Sequence, residues 1–267
     1  MYSAKIREFL EAGVHFGHQT SRWNPKMKPF IFAARNGIYI IDLQKTINAL
    51  DQAKKKVREV VRAGRSILFV GTKNQAREVI LEESPKCNGF YVVERWLGGM
   101  LTNFDTIKAS VKKLKDIERI RETGELEKFT KKERAQKEAQ AAKLEKTLGG
   151  IKDMNYLPGL LIVVDALKEQ IAVSEAHKLG IPIIGVLDTN ADPDLIDFPI
   201  AANDDAIKSI RLIVRELVDA AVEVQDAVTV AEIEAAVDAE REKPLETYTM
   251  EPEELGEADF GNGEVKG

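Results

Sequence analysis

The chain contains 267 residues, of which 44% are hydrophobic and 31% charged, with a formal net charge of −5. This composition excludes a chain that is disordered throughout, and the length allows one large core with insertions. Cys87 is the single cysteine, which excludes an intramolecular disulfide, and the three histidines complete no common structural zinc pattern with it.

Neither the first residues nor the apolar runs carry an export or membrane signal. Residues 1–13 mix Lys5, Arg7 and Glu8 with apolar side chains, and the longest apolar run, near residues 157–166, is too short to span a bilayer. We therefore expect a cytoplasmic protein that has no membrane partner, in keeping with a single cysteine.

Short apolar runs alternate with helical patterns along most of the chain. Residues 67–70 are followed by Thr72 and Gln75, which have capping-box spacing for a new helix. The same alternation predicts further strands at the following segments: 90–93, 160–164 and 183–187. Because such runs are typical of buried parallel strands, we expect an α/β fold with three layers.

Two longer helices are predicted in the second half of this pattern. The first covers residues 168–179 and ends at Gly180, because Pro182 cannot continue it. The second covers residues 204–224, where apolar side chains recur at helical spacing. Together these elements predict an α/β sandwich made of residues 1–104 and 151–225.

Residues 105–150 interrupt the alternation with a highly charged stretch that has no strand-like run. A narrow apolar seam follows the first part of it: Ile107, Val111, Leu114 and Ile117. Thr130 and Glu133 have capping-box spacing and place the start of a second helix there. We predict an inserted antiparallel coiled-coil helical hairpin.

The last part of the chain is acidic. Residues 226–267 contain 13 acidic and 3 basic side chains, which leaves a net charge of +5 for residues 1–225. Thr229 and Glu232 predict a short helix to about Arg241, followed by a disordered acidic tail. Such a tail can lie away from a nucleic-acid surface, compete with phosphate for it, or only add solubility, and the sequence leaves these alternatives open.

Two loops after predicted strands resemble ligand-binding motifs but depart from them. Gly71-Thr72-Lys73 follows a strand, as a phosphate-binding loop does, but Lys73 is followed by Asn74 instead of Ser or Thr. The loop that starts at Asp188 matches the first ligand positions of a calcium loop, but Pro193 stands where glycine is needed. We interpret both as polar loops.

Pairs of titratable side chains supply the strongest case for an enzyme. Asp165 and Asp188 follow predicted strands, so both are expected at the carboxyl edge of the sheet, where a phosphotransfer enzyme could use them to hold magnesium. Strand-ending aspartates also cap turns, and we favour that interpretation. His15 and His18 could share a metal only on a helix, which Gly17 disfavours. We therefore predict no catalytic residue, no metal ligand and no cofactor.

Cations interleaved with aromatic side chains predict an RNA-binding surface instead. Lys and Arg neutralise phosphates, and an aromatic ring can stack on an unpaired base. Two segments, near residues 22–35 and 95–113, supply the candidate RNA-binding residues: Arg22, Trp23, Lys26, Lys28, Arg35, Arg95, Trp96, Lys108, Lys112 and Lys113.

The chain resembles the bacterial ribosomal protein S2 family in the order and content of many short blocks. These blocks are residues 13–20, 22–27, 35–38, 41–46, 69–73, 95–103, 148–154, 180–182, 188–190 and 203–207. The resemblance extends to about residue 224 and leaves the acidic extension unmatched.

That resemblance implies a flavodoxin-like parallel sheet with an inserted coiled-coil hairpin and no catalytic activity. It also implies a structural role in the small ribosomal subunit, with ribosomal RNA and other small-subunit proteins as partners. The protein is then expected between the head and the body of the subunit, supporting attachment of the mRNA-binding ribosomal protein S1. Two alternatives stay open: the magnesium-dependent phosphotransfer enzyme, and an adaptor whose hairpin binds only protein.

Overall fold

The computed structural model describes residues 2–227, with the side chains of residues 4–227. The strands are β1 Phe16–Gln19, β2 Ile31–Arg35, β3 Ile38–Ile41, β4 Ile67–Val70, β5 Phe90–Val92, β6 Leu160–Val164, β7 Ile183–Leu187 and β8 Phe198–Ala201. The helices are α1 Tyr2–Glu11, α2 Leu43–Arg62, α3 Asn74–Glu83, α4 Phe104–Glu122, α5 Lys131–Leu148, α6 Gln170–Lys178 and α7 Ile207–Gln225. The predicted C-terminal helix and acidic tail lie almost entirely outside the described residues.

The large sheet has five parallel strands in the order β5-β4-β6-β7-β8. Numbered within this sheet alone, the order is 2-1-3-4-5, which is the flavodoxin-like arrangement. β4 is an inner strand between β5 and β6, where Phe69 pairs with Tyr91 on one side and Ile162 on the other. The predicted fold class is confirmed, and the predicted bounds of β4, β6 and β7 are those observed.

Helices cover both faces of this sheet, as the completely buried strands require. Phe69 and Ile162 point to one face, where they join a core with apolar residues of α2, α3 and α7. Leu68 and Val163 point to the other face, where they join a core with α6 and the segment that contains Trp96. Successive residues of a strand therefore serve two different cores, which explains why these strands lack a polar alternation.

A second sheet and one strand of the first were missed by the sequence analysis. β1, β3 and β2 form a small antiparallel sheet in that order, and its strands are mostly exposed or half-buried. β8 follows a polar loop and contains Pro199 in four residues. β2 and β3 are in fact apolar runs joined by Asn36-Gly37, a hairpin signal that the sequence analysis overlooked, whereas Pro199 argues against a strand at β8.

The predicted capping box at Thr72 and Gln75 is wrong. α3 begins at Asn74, after Lys73, and has no side-chain cap. The Thr72 hydroxyl instead donates to Glu169, 2.5 Å away, and this carboxylate also accepts from the Thr72 amide at 2.9 Å. The Thr72 hydroxyl therefore bonds to the buried carboxylate of Glu169, which is distant in sequence, instead of capping α3.

α4 and α5 pack against each other and are joined by the 3-10 turn Glu125–Lys128. The predicted capping box at the start of α5 is confirmed, since Thr130 accepts from the Glu133 amide and Glu133 accepts from the Thr130 amide. A coiled-coil geometry, and a domain boundary at residues 105 and 150, stay predictions. Among residues 2–227, no helix is both long and apolar enough to cross a bilayer.

Candidate functional site

The carboxyl edge of the large sheet holds a cluster of buried polar side chains. Asp188 directly follows β7 and is 1% exposed. Its carboxylate accepts from the His18 ring at 2.8 Å and from the His18 amide at 3.1 Å. The hydrogen bond to Asp188 raises the pKa of His18 above its ordinary value, although partial burial opposes the shift. β1 is thereby fastened to the end of β7.

Lys73 is the cation around which the rest of this cluster is arranged. Its ammonium lies 2.7 Å from Asp204, 2.6 Å from Asp205 and 3.5 Å from Asp165. Burial, and repulsion by Asp165 and Asp188, raise the pKa of Asp204 to about 7, although the hydrogen bond from Lys73 opposes that shift. Burial alone would lower the pKa of Lys73, but its carboxylate partners raise it, so the ammonium stays charged.

These contacts test the ligand-binding alternatives. Because Lys73 is bonded to carboxylates, its ammonium is occupied by partners within the chain, which disfavours the phosphate-loop interpretation. Asp165 and Asp188 do share the carboxyl edge, but Asp165 accepts from the Lys168 amide at 3.1 Å and so caps a turn. His15 and His18 do not face a common ligand: His15 packs on Phe16, with ring centroids 4.0 Å apart.

One side-chain set among the described residues has metal-ligand spacing. His18, Asp188 and Asp204 offer ligand atoms that all lie within 4.8 Å of one another. An imidazole with two carboxylates suits a divalent cation such as zinc. The sequence analysis did not find this set, because Asp204 lies beyond β8 and no spacing along the chain connects it with His18.

A buried carboxylate, Glu175, organises the loop that precedes α4. Glu175 lies on α6, and it accepts hydrogen bonds from the Trp96 indole at 3.1 Å and from the Gly99 amide at 2.7 Å. The Leu101 amide, the Thr102 amide and the Thr102 hydroxyl each donate to it at 3.0 Å. The sequence analysis missed this residue because it looks like an ordinary helix position.

The predicted RNA-binding residues of the N-terminal half lie on and beside the small sheet. Arg22, Lys28 and Arg35 are exposed, and none forms an ion pair with a described residue. Lys26 differs, because its ammonium lies 2.7 Å from Asp192 and 2.5 Å from Asp194. Trp23 is half-buried against Tyr39, with ring centroids 5.1 Å apart.

The other predicted residues lie around the start of α4. Arg95, Lys108, Lys112 and Lys113 are exposed and have no ion-pair partner among residues 2–227. Trp96 is 6% exposed and belongs to the core. We therefore assign Trp96 to anchoring the loop and place no base on its ring. The predicted residues thus form two exposed groups, one near the small sheet and one on α4.

Cations on α2 are used differently, although the sequence gives them the same appearance. Lys54 lies 2.7 Å from Glu216, and Arg58 lies 2.7 Å from Glu223, so both connect α2 to α7. Lys56 pairs with Glu59 on its own helix. Three cations of the basic run on α2 are therefore paired within the chain, whereas Lys55 and Arg62 are exposed and have no ion-pair partner among the described residues.

Comparison with known proteins identifies a family. The model of the family described as ribosomal protein S2 matches residues 9–224. The small ribosomal subunit protein uS2 of Geotalea uraniireducens is 56% identical over 223 residues, which are 84% of this chain and 87% of that protein. The protein of the same name from Syntrophobacter fumaroxidans is 56% identical over 218 residues, covering 82% of this chain and 80% of its own.

Proposed function

The chain belongs to the ribosomal protein S2 family, and on that premise we propose that it binds ribosomal RNA between the head and the body of the small subunit. Family and relatives make it a structural, non-enzymatic constituent of the small ribosomal subunit that acts in translation. Its expected location is the cytoplasmic ribosome, with RNA and other small-subunit proteins as partners.

The observation that carries RNA binding is that exposed cations without ion-pair partners are grouped in two places, beside the small sheet and around the start of α4. These two groups contain Arg22, Lys28, Arg35, Arg95, Lys108, Lys112 and Lys113. A cation already paired with a carboxylate gains little from a phosphate, because the first pair must break. Unpaired cations have no such cost, and phosphates that bind them release condensed counterions into solution.

The fold fixes the separations between these cations. The group on α4 is held by the loop that Glu175 organises, and the other group is attached to the large sheet where His18 bonds Asp188. RNA helices that contact both groups are thereby held in one relative arrangement. Phosphate contacts of this kind position RNA and require no reading of base sequence.

Charge reversal on α4 tests this function. We expect Lys112→Glu with Lys113→Glu to weaken association with small subunits that lack the protein by at least tenfold, because two attractive contacts become repulsive. The matched control is Lys178→Glu with Lys208→Glu, which makes the same charge change at exposed, unpaired cations elsewhere. Filter binding at fixed salt compares the two.

Equal affinities for both double variants and the unchanged protein would contradict RNA binding by α4. The adaptor alternative predicts a different result, because it needs only protein partners. Nuclease treatment that left every partner bound to a tagged copy of the protein would favour that adaptor.

We also propose that the protein supports attachment of ribosomal protein S1, as the family resemblance implies. The carboxyl edge favours a protein partner there, since its exposed carboxylates Asp192, Asp194 and Asp205 repel phosphate. Subunits prepared without this protein are expected to lose S1 and to regain it when the protein is added back. Retention of S1 without the protein, measured by sedimentation, would contradict the proposal.

A further inference from the structure

A cleft of about 570 Å³ opens at the amino-terminal edge of the large sheet, at the opposite end of the strands from the His18–Asp188 cluster. Its walls are the turn after α2, the start of β5, the first turns of α4 and the loop before β6. This volume lies within the range of pockets that hold small organic ligands, roughly 300 to 1,000 Å³. The cleft is therefore large enough for a planar group and its attachments.

Aromatic rings form much of the lining. Phe90 and Phe104 are half-buried, and Tyr156 is 51% exposed. The Lys108 ammonium lies 4.7 Å from the centroid of the Phe104 ring and 6.0 Å from that of Tyr156. The ammonium therefore covers one face of the Phe104 ring, and a base can stack there once Lys108 has turned onto a neighbouring phosphate.

Positive charge dominates the rim. Arg65 and Lys108 line the cleft, and neither forms an ion pair with a described residue. Asp153 is the acidic side chain of the lining, and the Lys115 ammonium lies 2.9 Å from it. The charge of Asp153 is thus balanced by Lys115, which lies outside the cleft lining, and Arg65 and Lys108 remain available to bind an anion.

The backbone makes room for one of these cations. A Cβ atom at Gly159 would lie 2.5 Å from the Arg65 Cβ and 3.0 Å from its Nε. Only glycine at this position therefore leaves room for the arginine side chain to lie this close to the backbone. The packing holds the Arg65 side chain close against the loop before β6. This packing limits the conformations of the Arg65 side chain, so less conformational entropy is lost when its exposed guanidinium binds phosphate.

We propose that this cleft is a pocket for one unpaired nucleotide of single-stranded RNA. The base stacks on the rings of Phe104 and Tyr156, and Arg65 and Lys108 bind the adjoining phosphates. Ser66 and Asn155, which also line the cleft, supply hydrogen-bonding groups for the base or the ribose. The proposal rests on the RNA-binding function above and assigns it a second mode of contact, through a base.

An aromatic surface with unpaired cations matches a nucleotide better than an apolar peptide. A purely apolar ligand would leave Arg65 and Lys108 partly desolvated without a partner, which is unfavourable. Double-stranded RNA cannot enter, because its bases are stacked on each other and only its backbone is exposed. Single-stranded RNA offers both a free ring face and the charge.

The test uses the full-length protein and an eight-nucleotide oligoadenylate that carries one 2-aminopurine. We expect binding to change 2-aminopurine fluorescence, because the probe exchanges its adenine neighbours for protein rings as stacking partners, and we expect Tyr156→Leu to weaken binding about tenfold. Tyr156→Phe keeps the ring and should retain affinity within about twofold. Thermal unfolding of each variant checks that the fold is unchanged.

A matched control separates stacking from general loss of aromatic surface. Phe129, at the turn between α4 and α5, likewise has a lysine ammonium, that of Lys137, 4.7 Å from its ring centroid, so Phe129→Leu should leave oligoadenylate affinity unchanged. Lys108→Gln and Arg65→Gln should each reduce the salt slope of binding by about one. Unchanged affinity in Tyr156→Leu, or equal loss in Tyr156→Phe and Tyr156→Leu, would overturn the proposal.

Two further results decide between ligands and between proposals. If oligoglutamate bound as tightly as oligoadenylate, with the same loss in Tyr156→Leu, the cleft would be a site for acidic peptides and the nucleotide proposal would be overturned. Since the oligonucleotide assay contains no ribosomal subunit, a failure there leaves the charge-reversal result on α4 intact. Conversely, a failure of charge reversal leaves the cleft result intact.

Discussion

The carboxyl edge of the sheet and the exposed face of α4 hold charge in opposite ways. At the carboxyl edge, Lys73 and His18 are surrounded by buried carboxylates within hydrogen-bonding distance. On α4, Lys112 and Lys113 are exposed without an ion-pair partner among the described residues. The first region satisfies its charges within the chain, and the second leaves them to a partner.

This difference teaches that the density of titratable groups does not by itself indicate function. A cluster at the carboxyl edge of a parallel sheet is where an active site is expected, yet here the contacts fasten β1 and the segment after β8 to that edge. The family is structural, and its proposed contact surface is the one with few internal contacts. Removing charge from the first region should therefore cost stability, whereas removing it from the second should cost binding.

The largest loss of stability is expected for Lys73→Met. Above about pH 8, where Asp204 with its pKa of about 7 is ionised in the wild type, loss of the ammonium leaves this buried carboxyl without its partner, which costs about 3 to 5 kcal/mol in comparable buried pairs. The control Lys178→Met removes an exposed, unpaired cation and should change the free energy of unfolding by less than about 0.5 kcal/mol. Urea unfolding measures both, and equal values would contradict the contrast between the regions.

A smaller loss of stability is expected for Glu175→Gln. This change replaces a carboxylate, whose two oxygens accept several hydrogen bonds, with an amide that has one acceptor oxygen and one donor nitrogen. We expect the free energy of unfolding to fall by about 2 to 3 kcal/mol, and the emission of buried Trp96 to change as its indole loses its partner. Glu138→Gln on the exposed face of α5 is the control. Unchanged stability would show that the loop before α4 does not depend on this carboxylate.

The same carboxylate gives a dependence on pH. Burial alone would raise the pKa of Glu175, but the Thr102 amide, the Trp96 indole and other donors lower it below its ordinary value. A lowered pKa stabilises the fold above the ordinary pKa of a glutamate, about 4.3, and that contribution is lost as the pH falls through the folded-state pKa. The difference between the wild type and Glu175→Gln should shrink as the pH falls below about 4 and stay constant at neutral pH.

The smallest effect is expected at the surface pair between α2 and α7. Arg58→Gln removes a partner of the exposed Glu223, and such pairs contribute about 0 to 1 kcal/mol. We also expect no change in affinity for small subunits, because this cation is already paired. A loss of subunit affinity equal to that of the α4 double variant would show that pairing does not distinguish the two sets of cations.

The parallel sheet was predictable, because completely buried strands read as apolar runs between helices. β4, β6 and β7 have the bounds that the sequence predicted. The small sheet was predictable only in part, because Asn36-Gly37 between two apolar runs favours the β2–β3 hairpin. The attachment of β1 to the large sheet was not predictable, because it depends on the bond between His18 and Asp188, which are 170 residues apart. Propensity describes only what neighbours along the chain decide.

The residue types of the candidate site were predictable from the sequence, but the contacts that each side chain makes were not. Exposed cations on α4 follow from the sequence, and so do aspartates at strand ends. The ion pairs of these cations do not follow from the sequence. Lys26 and Lys28 stand in similar sequence surroundings, yet only Lys26 contacts Asp192 and Asp194. The cleft was missed because Arg65, Phe104 and Tyr156 come from three separate segments.

The most direct test of the central claim is the salt dependence of binding to small subunits that lack the protein. If unpaired cations held at fixed separations bind RNA phosphates, the logarithm of the binding constant should fall linearly with the logarithm of salt concentration, with a slope of about −0.9 for each phosphate contact. The Lys112→Glu, Lys113→Glu variant should show a slope less steep by about two, and the Lys178→Glu, Lys208→Glu control should match the wild type. An affinity that is the same in low and high salt would contradict the account.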